Sequence, residues 1–290
     1  MTTRVCLLGF GEVGQLLARD LAARGARLSA WDLKFDDARS APYRVATELG
    51  LRARDVASAV SQAEVVVSAV TAAQIGAVAR AVLPHLARSA WYFDLNSTSP
   101  GAKAATAAAI DAAGGRFVEA AIMAPIQPRG AASPMLIGGA HAAEFQPVAS
   151  ELGFTQTRVM PGKLGSASAA KMCRSVLVKG LEALVLESLL SARRHGVDEE
   201  VLESLRDWKI EDWRASARYM ASRALLHGAR RAEEMREVSR TVAEAGLVPR
   251  MSPASADWQD WAGAHGEWGG RELPAMLDGL LGAQRGGARP

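Results

Sequence analysis

Six residues near the N-terminus, Gly9-Phe10-Gly11-Glu12-Val13-Gly14, restrict the folds open to this chain more than any other segment. They follow an apolar run, Arg4–Leu8, and lead into a stretch with helical spacing from Val13 to about Arg24. In such a loop the first glycine permits a tight turn out of a strand, the second lets backbone approach a pyrophosphate, and the third lets the helix lie close to the sheet. The helix N-terminus created there favours an anion, through its unpaired N–H groups and its dipole. Further short apolar runs, Arg27–Trp31, Glu64–Val70 and Trp91–Leu95, alternate with helical stretches. That alternation predicts parallel βαβ units with right-handed crossovers, an α/β chain beginning with a Rossmann-type doubly wound parallel sheet. Arg116–Ile122 and Pro134–Ile137 extend the sheet, and the second ends at the turn signal Gly138-Gly139.

The pattern changes after Pro161-Gly162. From Gly165 to about Arg194 the sequence holds no proline and one interior glycine, Gly180, and reads as a single long interdomain helix. Glu199–Arg206, Ile210–Arg223, Ala229–Ala245 and Ala254–Ala262 also have helical spacing, and strand patterns are absent. The expected division is a dinucleotide-binding Rossmann domain over 1–162 and an all-helical substrate and dimerisation domain over 163–290. The tail from Gly282 to Pro290, rich in Gly and Arg, is expected to fray. The long helix carries more apolar surface than so small a domain covers, which predicts a homodimer joined through the helical halves. Trp208, Trp213, Trp258, Trp261 and Trp268 are expected to fill a core or that interface.

Charge narrows the partners. The 34 basic and 31 acidic residues are interspersed and leave a net charge of +3, which gives no basic patch for nucleic acid. A pI near 9.1 suits a small anionic organic acid. The two cysteines, Cys6 and Cys173, form no CxxC and no metal-ligand cluster, so a reducing compartment and no metal are expected. No apolar segment is long enough for a signal peptide or membrane span, and the expected location is cytoplasmic, without a membrane partner. His85, His141, His195, His227 and His265 show no partner pattern.

Candidate ligand contacts lie at the carboxyl ends of the strands. Asp32 ends the second strand, eighteen residues past Gly14, where a carboxylate can accept both ribose hydroxyls and repel a 2′-phosphate. NAD is therefore expected, with NADP open because Lys34 is close; alternatively, Asp32 caps the next segment. Val70, Thr71 and Asn96 join the glycine loop as cofactor candidates. FAD and S-adenosylmethionine folds carry related loops, so the loop alone does not specify hydride transfer. After the Trp91–Leu95 strand, Asn96-Ser97-Thr98-Ser99-Pro100 offers hydroxyls and free helix-start N–H groups to a carboxylate; Ser99 and Pro100 also suit an ordinary helix start. On the long helix, Lys171, Arg174, Ser175, Lys179 and Glu182 share one face, either toward a wet cleft or toward bulk solvent.

The order of these features resembles the β-hydroxyacid dehydrogenases, which include 3-hydroxyisobutyrate and 6-phosphogluconate dehydrogenases. The glycine loop, the Ser-Thr-Ser-Pro element, the Gly138-Gly139 pair and a lysine entering the long helix recur in that order over about 190 residues. The resemblance implies a hydride transfer between a nicotinamide cofactor and a small hydroxy acid, of the 3-hydroxy acid or sugar-acid type. It implies Lys171 as general acid/base and Ser97, Thr98 and Ser99 as carboxylate ligands, with Met123, Arg174 and Ser175 also facing substrate. Two segments depart from the family pattern. Glu119-Ala120-Ala121-Ile122-Met123-Ala124-Pro125 stands where the family has a Ser-Gly-Gly turn, and Ser175 stands where it has asparagine. With Arg174-Ser175, Lys179-Gly180 and Arg230-Arg231-Ala232-Glu233-Glu234-Met235, these residues resemble a branch grouped with 6-phosphogluconate dehydrogenase by similarity. One of Arg230 and Arg231 either reaches a substrate anion or belongs to a salt-bridged face. An imine reductase on the same scaffold and a dinucleotide-binding protein without catalysis are the alternatives.

Overall fold

The computed structural model describes residues 2–53, 55–71, 74–205, 212–244 and 246–286. They form two compact units, Met1–Val176 and Leu177–Pro290. In the first, β1 (Arg4–Leu8), α1 (Glu12–Ala23), β2 (Arg27–Trp31), α2 (Ala41–Glu48), α3 (Val56–Val60), β3 (Val65–Ser68), α4 (Ile75–Val82) and β4 (Trp91–Asp94) follow one another. They continue through α5 (Pro100–Ala112), β5 (Arg116–Ile122), β6 (Met135–Gly138), α6 (Ala142–Glu151) and β7 (Thr157–Val159) to the first turns of α7 (Ser166–His195). The sheet order is β2-β1-β3-β4-β5-β6-β7. Neighbouring strands are parallel except β5 and β6, which pair antiparallel with Glu119 opposite Gly138.

The expected doubly wound parallel sheet is present, with one antiparallel pairing, at β6, whose direction the sequence did not announce. A parallel return needs a crossover, usually a helix, whereas the segment from Met123 to Pro134 holds only a 3-10 turn, Gly130–Ala132. β7, three residues long, gives too short a run to show in the sequence.

Both faces of the sheet are covered. Along β1, Val5 and Leu7 point into one core with Phe93, Phe145 and Phe154, while Cys6 and Leu8 point into the other with Tyr92, Ile110 and Phe117. This period-two alternation with apolar residues on both sides is what a sheet sandwiched between helices requires.

In the second unit, α7 ends and is followed by α8 (Asp198–Ser204), α9 (Trp213–Glu244), α10 (Met251–Gly263) and α11 (Leu273–Gly286). Helical spacing over Ile210–Arg223 and Ala229–Ala245 suggested two helices, but Trp213–Glu244 is one. Gly228 does not break it. A Cβ on Gly228 would meet the Gly263 backbone nitrogen at 2.5 Å, so this glycine lets α9 and α10 touch backbone to backbone. Leu225, Ala262 and Met276 form the small buried core there, with Trp261 and Trp268 packed against it. Trp258 is 64% exposed. Trp208, the residues before Asp212 and the side chains of Trp213, Lys179, Glu182, Arg230, Glu233 and Glu234 lie outside the described residues. No described helix is long and apolar enough to cross a membrane.

Candidate active site

The glycine loop is built as its spacing requires. Gly9 has φ +87°, and a Cβ there would stand 2.4 Å from the Ala69 carbonyl oxygen, so the loop lies directly on the end of β3. A Cβ on Gly14 would stand 2.1 Å from the Gly9 carbonyl oxygen, which fixes how closely α1 approaches the loop. Around Gly11, by contrast, a Cβ would meet nothing within 4 Å. Gly11 is also the N-cap of α1 and supplies no side-chain hydrogen bond. An open cradle in front of a helix N-terminus fits a pyrophosphate.

Asp32 does two things at once. Its Oδ1 accepts the Lys34 N–H at 2.8 Å and so caps the 3-10 turn Leu33–Asp36, while its Oδ2 accepts the Phe10 N–H at 2.6 Å and pins the glycine loop. A carboxylate offers about four acceptor positions, so capping does not consume it. Asp32, Leu33, Pro42, Val70 and Thr71 line a cleft of about 300 Å3 that continues from Gly9 and Gly11. The Phe10 ring itself is buried in the core against Phe35, and Val13 is half-buried. Glu12 is exposed in the first turn of α1, where its carboxylate accepts a hydrogen bond from Gln127.

Asn96 is buried and fully engaged. Its Oδ1 accepts the Val70 N–H at 2.6 Å, and its Nδ2 donates to Ser68 Oγ at 2.9 Å and to Asp94 Oδ1 at 2.5 Å. The following turn leaves Ser97 and Ser99 exposed and Thr98 half-buried. Ser99 Oγ accepts the Ala102 N–H at 3.3 Å and caps α5, so the helix-start reading of this serine is realised. The Thr98 carbonyl accepts a hydrogen bond from the Ser168 hydroxyl in the first turn of α7.

The start of α7 is held by a buried carboxylate. Glu119 on β5 accepts the N–H groups of Gly165, Ala167 and Ser168, satisfying the amides that a helix start leaves open. Gly138 is glycine because a Cβ would stand 2.5 Å from Glu119 Oε1. Gly165 is glycine because it has φ +95° and a Cβ would stand 2.9 Å from the Pro100 ring. These contacts bring together the turn Asn96–Ser99, β5 and the helix segment carrying Lys171. Lys171 falls three residues after Ser168 and is half-buried, as is Ser175; Arg174 is exposed. Met123 packs with Ala167 and Ala170, forming an apolar wall beside that segment.

One part of this region escaped the sequence. Lys103 is completely buried, with Nζ 2.8 Å from the Asp94 carbonyl oxygen and 3.1 Å from its Oδ1. Burial pushes its ammonium below the usual lysine range, opposed by the Asp94 and Glu119 carboxylates. The available signal was spacing: Lys103 shares the buried face of α5 with Thr106, Ala107 and Ile110. Among the described residues no cluster of His, Cys, Asp and Glu could hold a metal ion.

Residues 4–154, more than half of the chain, match the family described as the NAD binding domain of 6-phosphogluconate dehydrogenase. The chain belongs to this family. Its first unit is therefore an NAD-binding domain of the 6-phosphogluconate dehydrogenase type, in keeping with the open cradle at Gly11. Residues 192–262 match a second family, a domain of unknown function called DUF1932. A conserved hypothetical protein from Sinorhizobium meliloti 1021 is 38% identical, with 97% of this chain and 96% of that one covered and a TM-score of 0.59. Another conserved protein, described as structurally similar to 3-hydroxyacid dehydrogenases, is 31% identical over 95% of this chain and 99% of its own, with a TM-score of 0.57. An imine reductase from Myxococcus stipitatus, solved with NADP+, is 18% identical over 96% of this chain and 99% of its own. Its TM-score of 0.75 shows a shared fold.

Proposed function

We propose that the chain is an NAD(H)-dependent dehydrogenase or reductase of small hydroxy acids, with Lys171 as general acid/base. The observation that supports this most is the tie between Ser168 and Thr98, which joins the turn Asn96–Ser99 to the helical segment that carries Lys171 three residues later. The hydroxyls of Ser97, Thr98 and Ser99 bind the substrate carboxylate, and Met123 excludes water beside it. Arg174 and Ser175 contribute to the same recognition. Gly11 and the first amides of α1 hold the pyrophosphate, and Asp32 holds the adenosine ribose and favours NAD over NADP. Bound nicotinamide supplies the hydride acceptor or donor. As the carbinol becomes a carbonyl, the Lys171 amine takes the hydroxyl proton, and in the reverse direction its ammonium returns it. The helical unit pairs with that of a second copy, a reading supported by its exposed apolar side chains.

Lys171→Ala should lower turnover at least a hundredfold while changing the Kd for NADH less than threefold. A variant that keeps more than a tenth of the parent rate removes Lys171 from this role. Imine reduction on the same scaffold is the second reading, favoured by the shared fold with the Myxococcus enzyme. A panel of hydroxy acids and imines, followed by NADH absorbance, separates the two.

A further inference from the structure

The buried pair Lys103–Asp94 has no place in the proton transfer, yet it lies beneath the ends of β3 and β4 where both candidate ligand turns begin. Asp94 Oδ1 gathers three donors: Lys103 Nζ, the Asn96 N–H at 2.9 Å and Asn96 Nδ2. Its Oδ2 has no hydrogen-bond partner among the described residues. A buried ion pair of this kind is a poor way to gain stability, because apolar residues of the same volume often serve as well or better. What it does supply is direction. An anionic carboxylate admits only the NH2 end of the Asn96 side chain, and this orientation leaves Oδ1 facing the Val70 N–H. Turned the other way, the amide would set its own NH2 against that N–H. The backbone at 69–70 would then have to move, and with it the glycine loop, since Gly9 already lies against the Ala69 carbonyl.

We infer that Lys103 is a positioning residue for dinucleotide binding: by neutralising Asp94 it fixes the Asn96 amide, and through Asn96 the Val70 backbone that lines the cofactor cleft. The inference rests on the dinucleotide reading of the glycine loop. It explains why a lysine, rather than an apolar residue, occupies the buried face of α5.

The test is a titration of NADH, followed by its fluorescence, into the parent chain, Lys103→Met and the double variant Lys103→Met/Asp94→Asn, at a temperature well below each melting transition. Lys103→Met should weaken NADH binding at least tenfold. The double variant should return to within threefold of the parent, because asparagine at 94 removes the uncompensated charge and its side-chain carbonyl still accepts from Asn96. A Lys103→Met protein that melts earlier but binds NADH as the parent does would reduce the pair to packing and overturn the inference. A double variant that binds no better than Lys103→Met would do the same. Should Lys103→Met yield no folded protein, the double variant decides: folded and within threefold of the parent upholds the inference, unfolded or weaker overturns it. A parent chain that does not bind NADH would overturn the dinucleotide reading itself and this inference with it.

Discussion

In the first unit the apolar side chains of β1, β3 and β4 vanish into one core or the other, and at the strand ends Asn96 and Ser68 are hydrogen-bonded to each other. In the second, Tyr219, Leu226, Val248, Trp258 and Leu281 each leave more than half of their surface in solvent, beside a buried cluster that includes Leu225, Ala262 and Met276. A sheet covered on both faces closes over itself. The helices leave these apolar side chains in solvent, and where such surface is contiguous it marks an interaction site. On the proposed reading, the first unit binds the dinucleotide and the helical unit pairs with that of a second copy.

The contrast breaks most readily at Gly14. Placing a methyl 2.1 Å from the Gly9 carbonyl, as Gly14→Ala does, should cost the first unit about 3 kcal/mol. Urea unfolding followed by unit-specific probes should then show the first unit melting early and the helical unit unmoved; a joint shift would mean that the two are one cooperative body. Self-association offers the next largest effect. The parent should elute as two chains, and Leu226→Glu/Trp258→Glu should weaken pairing about a hundredfold, about 2.8 kcal/mol, with little loss of helix content. A parent that elutes as one 30.6 kDa chain leaves the exposed surface for some other partner.

A smaller effect sharpens the description of the closed unit. Burial raises the Cys6 thiol to about 12, well above its usual 9.0. The folded protein therefore keeps this proton while the unfolded chain begins to lose it near pH 9. The stability involved is present below pH 9 and is lost as pH climbs toward 12, amounting to about 1.4 kcal/mol by pH 10. Tyr92, raised by burial, acts in the same direction. Cys6→Ala should flatten the fall in unfolding free energy between pH 8 and pH 10 relative to the parent. Identical slopes would mean that the thiol is not as enclosed as the structure has it.

Much of the sheet was legible because local rules govern it. Gly9 and Gly14 each occupy a place where a side chain would collide, Gly11 faces the open cradle, and an apolar run precedes them. The antiparallel β6 was not legible, since strand direction depends on what connects β5 to β6 and not on either strand's own composition. The gap between Ile210–Arg223 and Ala229–Ala245 closes into one helix because Gly228 packs on Gly263, thirty-five residues on, of which the spacing says nothing. The same holds for the site. Asn96 and Ser99 could be picked out by their position after a strand. Lys103 went unmarked, because the carboxylates that face it, Asp94 and Glu119, belong to two different strands.

Glu119 has one more consequence. A long helix normally advertises its first turn to any passing anion, but here that berth is already taken by the protein's own carboxylate. On the proposed reading, substrate charge along α7 is met by side chains further along the helix, and these can be exchanged singly without unseating it. That reading puts the anchor of α7 and its chemical taste on separate residues, so new specificities can be tried without touching what holds the helix in place.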